Sequence, residues 1–199
     1  MISIKEMSEM PVKLTEGHRL CAGCAEPIVA KQVMLATDKP IVVANATGCF
    51  EVSTSGYPQS AWEVPWIHTA FGTVSATISG VESAYRALKR SGKVTEDIRF
   101  LAFGGDGATY DIGLQALSGA IERGHQFMYV CFNNEAYMNT GIQRSSATQL
   151  GASTTTCPSG TCVPGKREIP KDLTKIIAAH KVPYAAQASP HNWKDLIAK

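Results

Sequence analysis

Gly105-Asp106-Gly107 and the later pair Asn133-Asn134 are the residues of this chain whose types and spacing could do chemistry. A carboxylate on a glycine turn, joined by an amide oxygen, suits a hard divalent cation such as Mg²⁺, which takes oxygen ligands and bridges phosphates. The glycines let backbone N–H groups approach a diphosphate, and the N-terminus of a following helix favours its negative charge. Asp-Gly alone is ordinary turn chemistry. The frame around it makes the set informative. IRFLAFGGDG reads as a buried strand running into the turn, ATYDIGLQALSGAIERG as an amphipathic helix, and QFMYVCF as a second strand that delivers the asparagines. Ligands of open α/β sheets bind at the carboxyl ends of strands, where both groups then arrive. The spacing therefore predicts a pyrophosphate-plus-magnesium site.

The cysteines form a second candidate set. Cys21-Ala-Gly-Cys24 precedes a helix, and Cys49 follows an apolar strand. Zinc ribbons carry two such pairs, and only one is present. A redox dithiol leaves Cys49 without a role. An iron–sulfur cluster takes four thiolates; three are well placed, and Cys157 and Cys162 are the candidates for a fourth. Cys131 lies in an apolar strand and reads as a small buried hydrophobe. His68, in WIHTAFG, opens a long helix and can contact a phosphate or cap locally. His18 is either a neighbour of the thiols or polar surface. Trp62 and Trp66 are aromatic anchors of a core or an interface.

These groups need a scaffold. Residues 1–20 read as an arm or loop, PIVAKQVMLAT (27–37) as a helix and PIVVANAT (40–47) as a buried strand. Residues 48–67 form a long segment rich in Gly, Pro, Ser and aromatics. The run 69–92 reads as a helix ending in Lys-Arg and a glycine. Strand 98–103, helix 109–123 and strand 127–132 follow. A second long segment occupies 133–170; 171–181 reads as a helix, VPYAAQA as a strand and SPHNWKDLIAK as a helix. Alternating elements imply an α/β fold, a parallel sheet with helices on both faces. A single domain over 1–199 is expected, cut short at its C-terminus because Lys199 falls inside an apparent helix. The formal charge of +2, from 19 basic and 17 acidic residues, gives no electrostatic case for nucleic acid or a membrane surface. No apolar run is long enough to span a bilayer, and the N-terminus lacks a secretory signal pattern, so a cytoplasmic protein with reduced thiols is expected.

Four stretches together, CAGCAEP, NATGCFEVSTSGYPQSAWEVPWIHTAFG, GGDGATYDIGLQALSGA and FNNEAYMNTGIQRSSATQ, resemble the thiamine-diphosphate-binding β subunit of pyruvate:ferredoxin oxidoreductases over residues 17–199. The resemblance implies a thiamine-diphosphate-binding fold that holds thiamine diphosphate, Mg²⁺ and a nearby 4Fe-4S cluster. The complex it points to converts pyruvate and coenzyme A to acetyl-CoA and CO₂, with two electrons passed to ferredoxin. By motif, Asp106, Asn134 and the carbonyl of Ala136 become Mg²⁺ ligands. Gly105 and Gly107 shape the diphosphate turn, with His68 on the cofactor side. Asn139 lies near the thiazolium, and Glu26 faces the cofactor. Cys21, Cys24 and Cys49 become cluster ligands on loops within 1–26 and 48–67, the family's fourth ligand falling beyond Lys199. The implied partners are an α subunit supplying the catalytic glutamate, a γ subunit and a ferredoxin-like δ subunit, so the isolated chain is expected to be inactive. Segments 48–67 and 133–170, with Trp62, Trp66 and Tyr137, are the expected interface and pocket walls. Pyruvate fits the motifs better than 2-oxoglutarate, and an oxalate-using branch shares most of them. A non-redox thiamine-dependent decarboxylase would have no use for the cysteines, and a zinc-stapled structural subunit none for Asp106 and Asn134.

Overall fold

Two apolar runs, 41–46 and 99–105, become the buried centre of a parallel sheet. The computed structural model describes residues 3–162 and 164–199. Strands β1 (Ile41–Ala46), β2 (Trp66–Thr69), β3 (Arg99–Gly105) and β4 (Met128–Phe132) pair in the order β2-β1-β3-β4, all parallel. Asn45 stands opposite both His68 and Phe103, and Gly105 opposite Phe132, so the strand ends share one edge.

The two-residue alternation of a strand splits the core in two. Ile41, Val43, Leu101 and Phe103 pack with Ala30 and Met34 of helix α2 (Glu26–Leu35). Ala44, Ala46, Phe100 and Ala102 pack with Val74 and Ile78 of helix α4 (Val74–Arg90). Helices thus cover both faces, as expected. On the α2 side the core is aromatic. Phe50, from the short helix α3 (Cys49–Thr54), lies 5.5 Å from the ring of Trp62, 5.7 Å from Phe103 and 5.1 Å from Phe132.

Several expectations need correction. The first twenty residues are not merely an arm: helix α1 (Ile4–Ser8) carries a capping box on Ser3, and Leu14 is fully buried and bridges to Trp62. Residues 48–67 hold α3 and the start of β2. His68 therefore lies in a strand, and α4 begins only at Val74. A four-residue strand exists there because β1 offers an unpaired parallel edge. Trp62 belongs to the core, with its indole N–H donating to Thr54 Oγ1 at 2.9 Å. The helix expected over 109–123 is two pieces, a π-helical turn (Gly107–Ile112) and α5 (Leu114–Glu122). Gly113 joins them; a Cβ there would lie 2.1 Å from the Ala108 carbonyl oxygen. VPYAAQA forms no strand, and Tyr184 within it is exposed. Flanking it are α6 (Leu173–Ala178), capped by Asp172, and α7 (Trp193–Ala198), capped by Asn192. The segment 133–170 contains a hairpin of β5 (Ala136–Tyr137) and β6 (Gln143–Arg144). No helix among the described residues is long and apolar enough to cross a membrane.

Candidate active site

Three strand ends and one helix start build a cleft. Strand β1 delivers Thr47-Gly48-Cys49, β3 delivers Gly105-Asp106-Gly107, and β4 delivers Asn134; Glu26 opens α2. Ala136 and Asn139, from the β5–β6 hairpin, line the same cleft. The structure thus brings together Glu26, Cys49, Asp106, its two glycines, Asn134, Ala136 and Asn139. A Cβ on Gly107 would lie 2.3 Å from the ring of Tyr137, so the hairpin seats directly on this glycine. A Cβ on Gly105 would meet nothing within 4 Å.

The centre is rich in acceptors and poor in cations. Asp106 is 1% exposed, and its Oδ2 accepts the Ser145 hydroxyl. Burial lifts its pKa to about 6, against the Ser145 bond and the N–H groups of Asp106 and Gly107. Asn134 Nδ2 donates to Glu26 Oε1 at 3.2 Å. Burial, opposed by that bond and reinforced by the Asp106 charge, lifts Glu26 to about 7. The other oxygens, Glu26 Oε2 and Asn134 Oδ1, are buried without a partner. Each such acceptor costs about 1–3 kcal/mol, and folded proteins rarely leave one unmet. A hard cation would supply the missing partner. The second carboxylate oxygen of Asp106, Asn134 Oδ1 and the Ala136 carbonyl are a donor set that fits Mg²⁺.

Asn45 went unnoticed in the sequence. It is 1% exposed, lines the cleft, and its Nδ2 has no partner. The available signal was an amide inside the aliphatic run IVVANAT. Asp111 was missed too. Tyr137 Oη donates to its Oδ2 at 2.7 Å, Ser146 N–H donates at 3.2 Å, and the Ser146 hydroxyl donates to Oδ1. Burial pushes the Asp111 carboxyl up, but these donors and the Lys171 ammonium outweigh it and hold it below its ordinary value.

The cysteines are neighbours rather than a finished nest. The Cys24 N–H donates to the Cys21 carbonyl at 3.0 Å. Burial first, then Glu26, then the Cys24 and Cys21 thiols push Cys49 up to about 11. Among the described residues, no three His, Cys, Asp or Glu side chains gather closely enough to hold a metal ion. The trio is also one thiolate short of a 4Fe-4S set, so its fit to that cluster is incomplete. Cys157 pairs its backbone with Thr154, and Cys162 is exposed. Cys131 lies partly buried in β4. His68 is not in the cleft lining. Its Nδ1 meets the buried Glu51 Oε1 at 2.7 Å, where Ser55 Oγ also donates at 3.0 Å, so it ties β2 to α3.

A family model for thiamine pyrophosphate enzymes, the C-terminal TPP binding domain, matches residues 46–199. The pyruvate synthase subunit PorB of Thermotoga maritima is 54% identical over 201 residues, covering 98% of this chain and 62% of that one. PorB of Methanocaldococcus jannaschii is 55% identical over 174 residues, covering 86% and 58%. The chain thus spans about three fifths of the length of these relatives. Among solved structures, a 2-oxoglutarate:ferredoxin oxidoreductase from Magnetococcus marinus superposes with a TM-score of 0.75 at 21% identity, over 94% of this chain and 60% of that one, a likeness of fold. The parallel sheet, the acceptor-lined cleft at its carboxyl edge and the match over 46–199 agree: this chain belongs to the thiamine pyrophosphate enzymes, as a C-terminal TPP binding domain.

Proposed function

We propose that the chain is the thiamine-diphosphate-binding β subunit of a pyruvate:ferredoxin oxidoreductase, with residues 1–199 forming one cofactor-binding domain. The observation that carries the reading is the pair of buried, unmatched acceptors in the cleft, Glu26 Oε2 at the start of α2 and Asn134 Oδ1 past the end of β4, beside Asp106. The similarity to PorB subunits supports the same reading. Thiamine diphosphate held in this cleft would supply the nucleophilic carbon and the electron sink that decarboxylation of a 2-oxoacid needs. The chain's own residues hold and orient. Asp106, Asn134 and the Ala136 carbonyl hold Mg²⁺. The Gly105–Gly107 turn admits the diphosphate beside the N–H groups of the π turn. Asn139, on the hairpin, orients the substrate, and Glu26 and Asn45 fix polar atoms of the cofactor from the α2 side. Cys21, Cys24 and Cys49 are proposed as ligands of a 4Fe-4S cluster, and no step is derived through it. An α subunit that completes the pocket, γ and ferredoxin-like δ subunits, ferredoxin and a cytoplasmic location belong to the same proposal.

The test is anaerobic reduction of a low-potential dye by the purified complex, given pyruvate, 2-oxoglutarate, 2-oxoisovalerate or oxalate, each with and without coenzyme A. Reduction that needs both pyruvate and coenzyme A supports the proposal. Reduction by oxalate without coenzyme A moves the chain to the oxalate-using branch. Thiamine diphosphate binding without iron or dye reduction replaces the proposal with a non-redox decarboxylase.

A further inference from the structure

Asp111 has no part in the proposed chemistry, yet both feet of the β5–β6 hairpin are tied to it. Tyr137, at the end of β5, donates through its hydroxyl at 2.7 Å. Ser146, just past β6, donates through its N–H at 3.2 Å and through its hydroxyl. Lys171 Nζ stands 3.6 Å from Oδ1 and donates to the Tyr110 carbonyl at 2.6 Å. Between the feet lies Asn139. Beside the second foot lies Ser145, whose hydroxyl donates to Asp106 Oδ2. The far side of this turn is pinned as well: the buried Lys166 donates to the carbonyls of Ser146 at 3.3 Å and Thr148 at 2.5 Å. Asp111 reaches both feet because it sits in the π turn, a geometry found mostly as single turns and often at functional sites.

We infer that Asp111 is a positioning residue: it seats the hairpin over the cleft, setting the place of Asn139 and, through Ser145, the oxygen that Asp106 presents. The inference rests on the proposed magnesium–diphosphate site. Charged hydrogen bonds that orient a metal ligand from outside typically govern metal affinity by roughly 10–100-fold.

The test uses the assembled enzyme, stripped of cofactor, with Asp111→Asn, Tyr137→Phe and Ser146→Ala. Two quantities are read: Mg²⁺ and thiamine diphosphate affinity by calorimetry, and hydrogen–deuterium exchange before any cofactor is added. Asp111→Asn should weaken Mg²⁺ binding by roughly 10–100-fold. It should speed exchange over 136–148 by about tenfold, the loss of one charged hydrogen bond, while β1 and β3 exchange as in the wild type. The two single-arm variants should move both readouts in the same direction by less. Wild-type affinity, or wild-type exchange over 136–148, in Asp111→Asn overturns the inference. Wild-type enzyme that binds no thiamine diphosphate sinks the proposed function instead, and exchange in the cofactor-free protein then decides the seating. If Asp111→Asn does not assemble, the Tyr137→Phe and Ser146→Ala results decide.

Discussion

Gly113 is the joint between the π turn and α5, and replacing it with alanine tests how that turn is held. A Cβ at this position would lie 2.1 Å from the Ala108 oxygen, 2.9 Å from the Gly72 oxygen and 3.3 Å from the Ala108 carbon. All three are backbone atoms, so no rotamer change relieves the overlap. Overpacking of this kind costs about 1–3 kcal/mol and occasionally more. Relief requires the Ala108 carbonyl to move, and the π turn with it. That movement puts at risk a charged hydrogen bond to Asp111 worth about 1.5–3 kcal/mol. Against this, alanine at φ −90°, ψ −4° adopts an ordinary conformation and gains about 0.5–1 kcal/mol from the unfolded chain. The net expectation is a loss of about 3 kcal/mol, or roughly 6–12 °C for a chain of this size. Gly80→Ala is the control. It lies on the exposed side of α4, and a Cβ there meets nothing within 4 Å, so it should gain about 0.5–1 kcal/mol. Urea unfolding followed by far-ultraviolet circular dichroism reads both at a common m-value. A Gly113→Ala midpoint within about 1 kcal/mol of wild type, or an equal loss from Gly80→Ala, refutes the steric argument.

Lys13 ties the N-terminal segment to the end of α2 by donating to the carbonyls of Met34 and Thr37, each at 2.7 Å. Lys13→Met should lower stability by about 1–3 kcal/mol, measured by the same denaturation. Burial pushes the Cys131 thiol up to about 12, whereas Cys21 and Cys162 are exposed. At pH 8 a thiol reagent should label Cys21 and Cys162 quickly in cluster-free protein and Cys131 only as the chain unfolds, as peptide mass mapping would show. The Asp111 carboxyl is held below its ordinary value, so its contribution to stability is present above the unfolded pKa of about 3.9 and lost as pH falls through the folded one. Asp111→Asn should therefore lose less stability than wild type between about pH 5 and pH 3, while being less stable than wild type at pH 7; parallel acid profiles would count against it.

The sheet and the centre of the site were legible for a shared reason. Strands 40–47 and 98–103 are apolar runs buried on both faces, 127–132 is an apolar run at the sheet edge, and the groups that do chemistry stand where those runs stop. What escaped reading depends on partners far along the chain. Asp111 meets Ser146, and Asp106 meets Ser145, across separations that no local pattern records. The π turn keeps the composition of an ordinary helix, so periodicity over 109–123 could not reveal the wider winding. WIHT is too short to announce a strand and becomes one only beside β1. VPYAAQA has the apolar content of a strand but no neighbour to pair with. His68 looked like the mouth of a helix because the apolar pattern of α4 runs on, without a break, through the turn at Gly72.

The aromatic contacts of Phe50 have a mechanical meaning. Its ring wedges against Phe103 on β3 and Phe132 on β4, which stack on each other at 5.4 Å, and Phe50 itself follows Cys49. The roots of Cys49, Asp106 and Asn134 are thereby parts of one incompressible block, since packed interiors transmit displacement instead of absorbing it. Adjustment to an incoming ligand falls to the first turn of α2, which lies outside that block and outside the hairpin that Asp111 seats. The cleft thus works as a rigid anvil with one compliant jaw, and substitutions that tune fit without disturbing the spacing between thiol and carboxylate belong on the jaw.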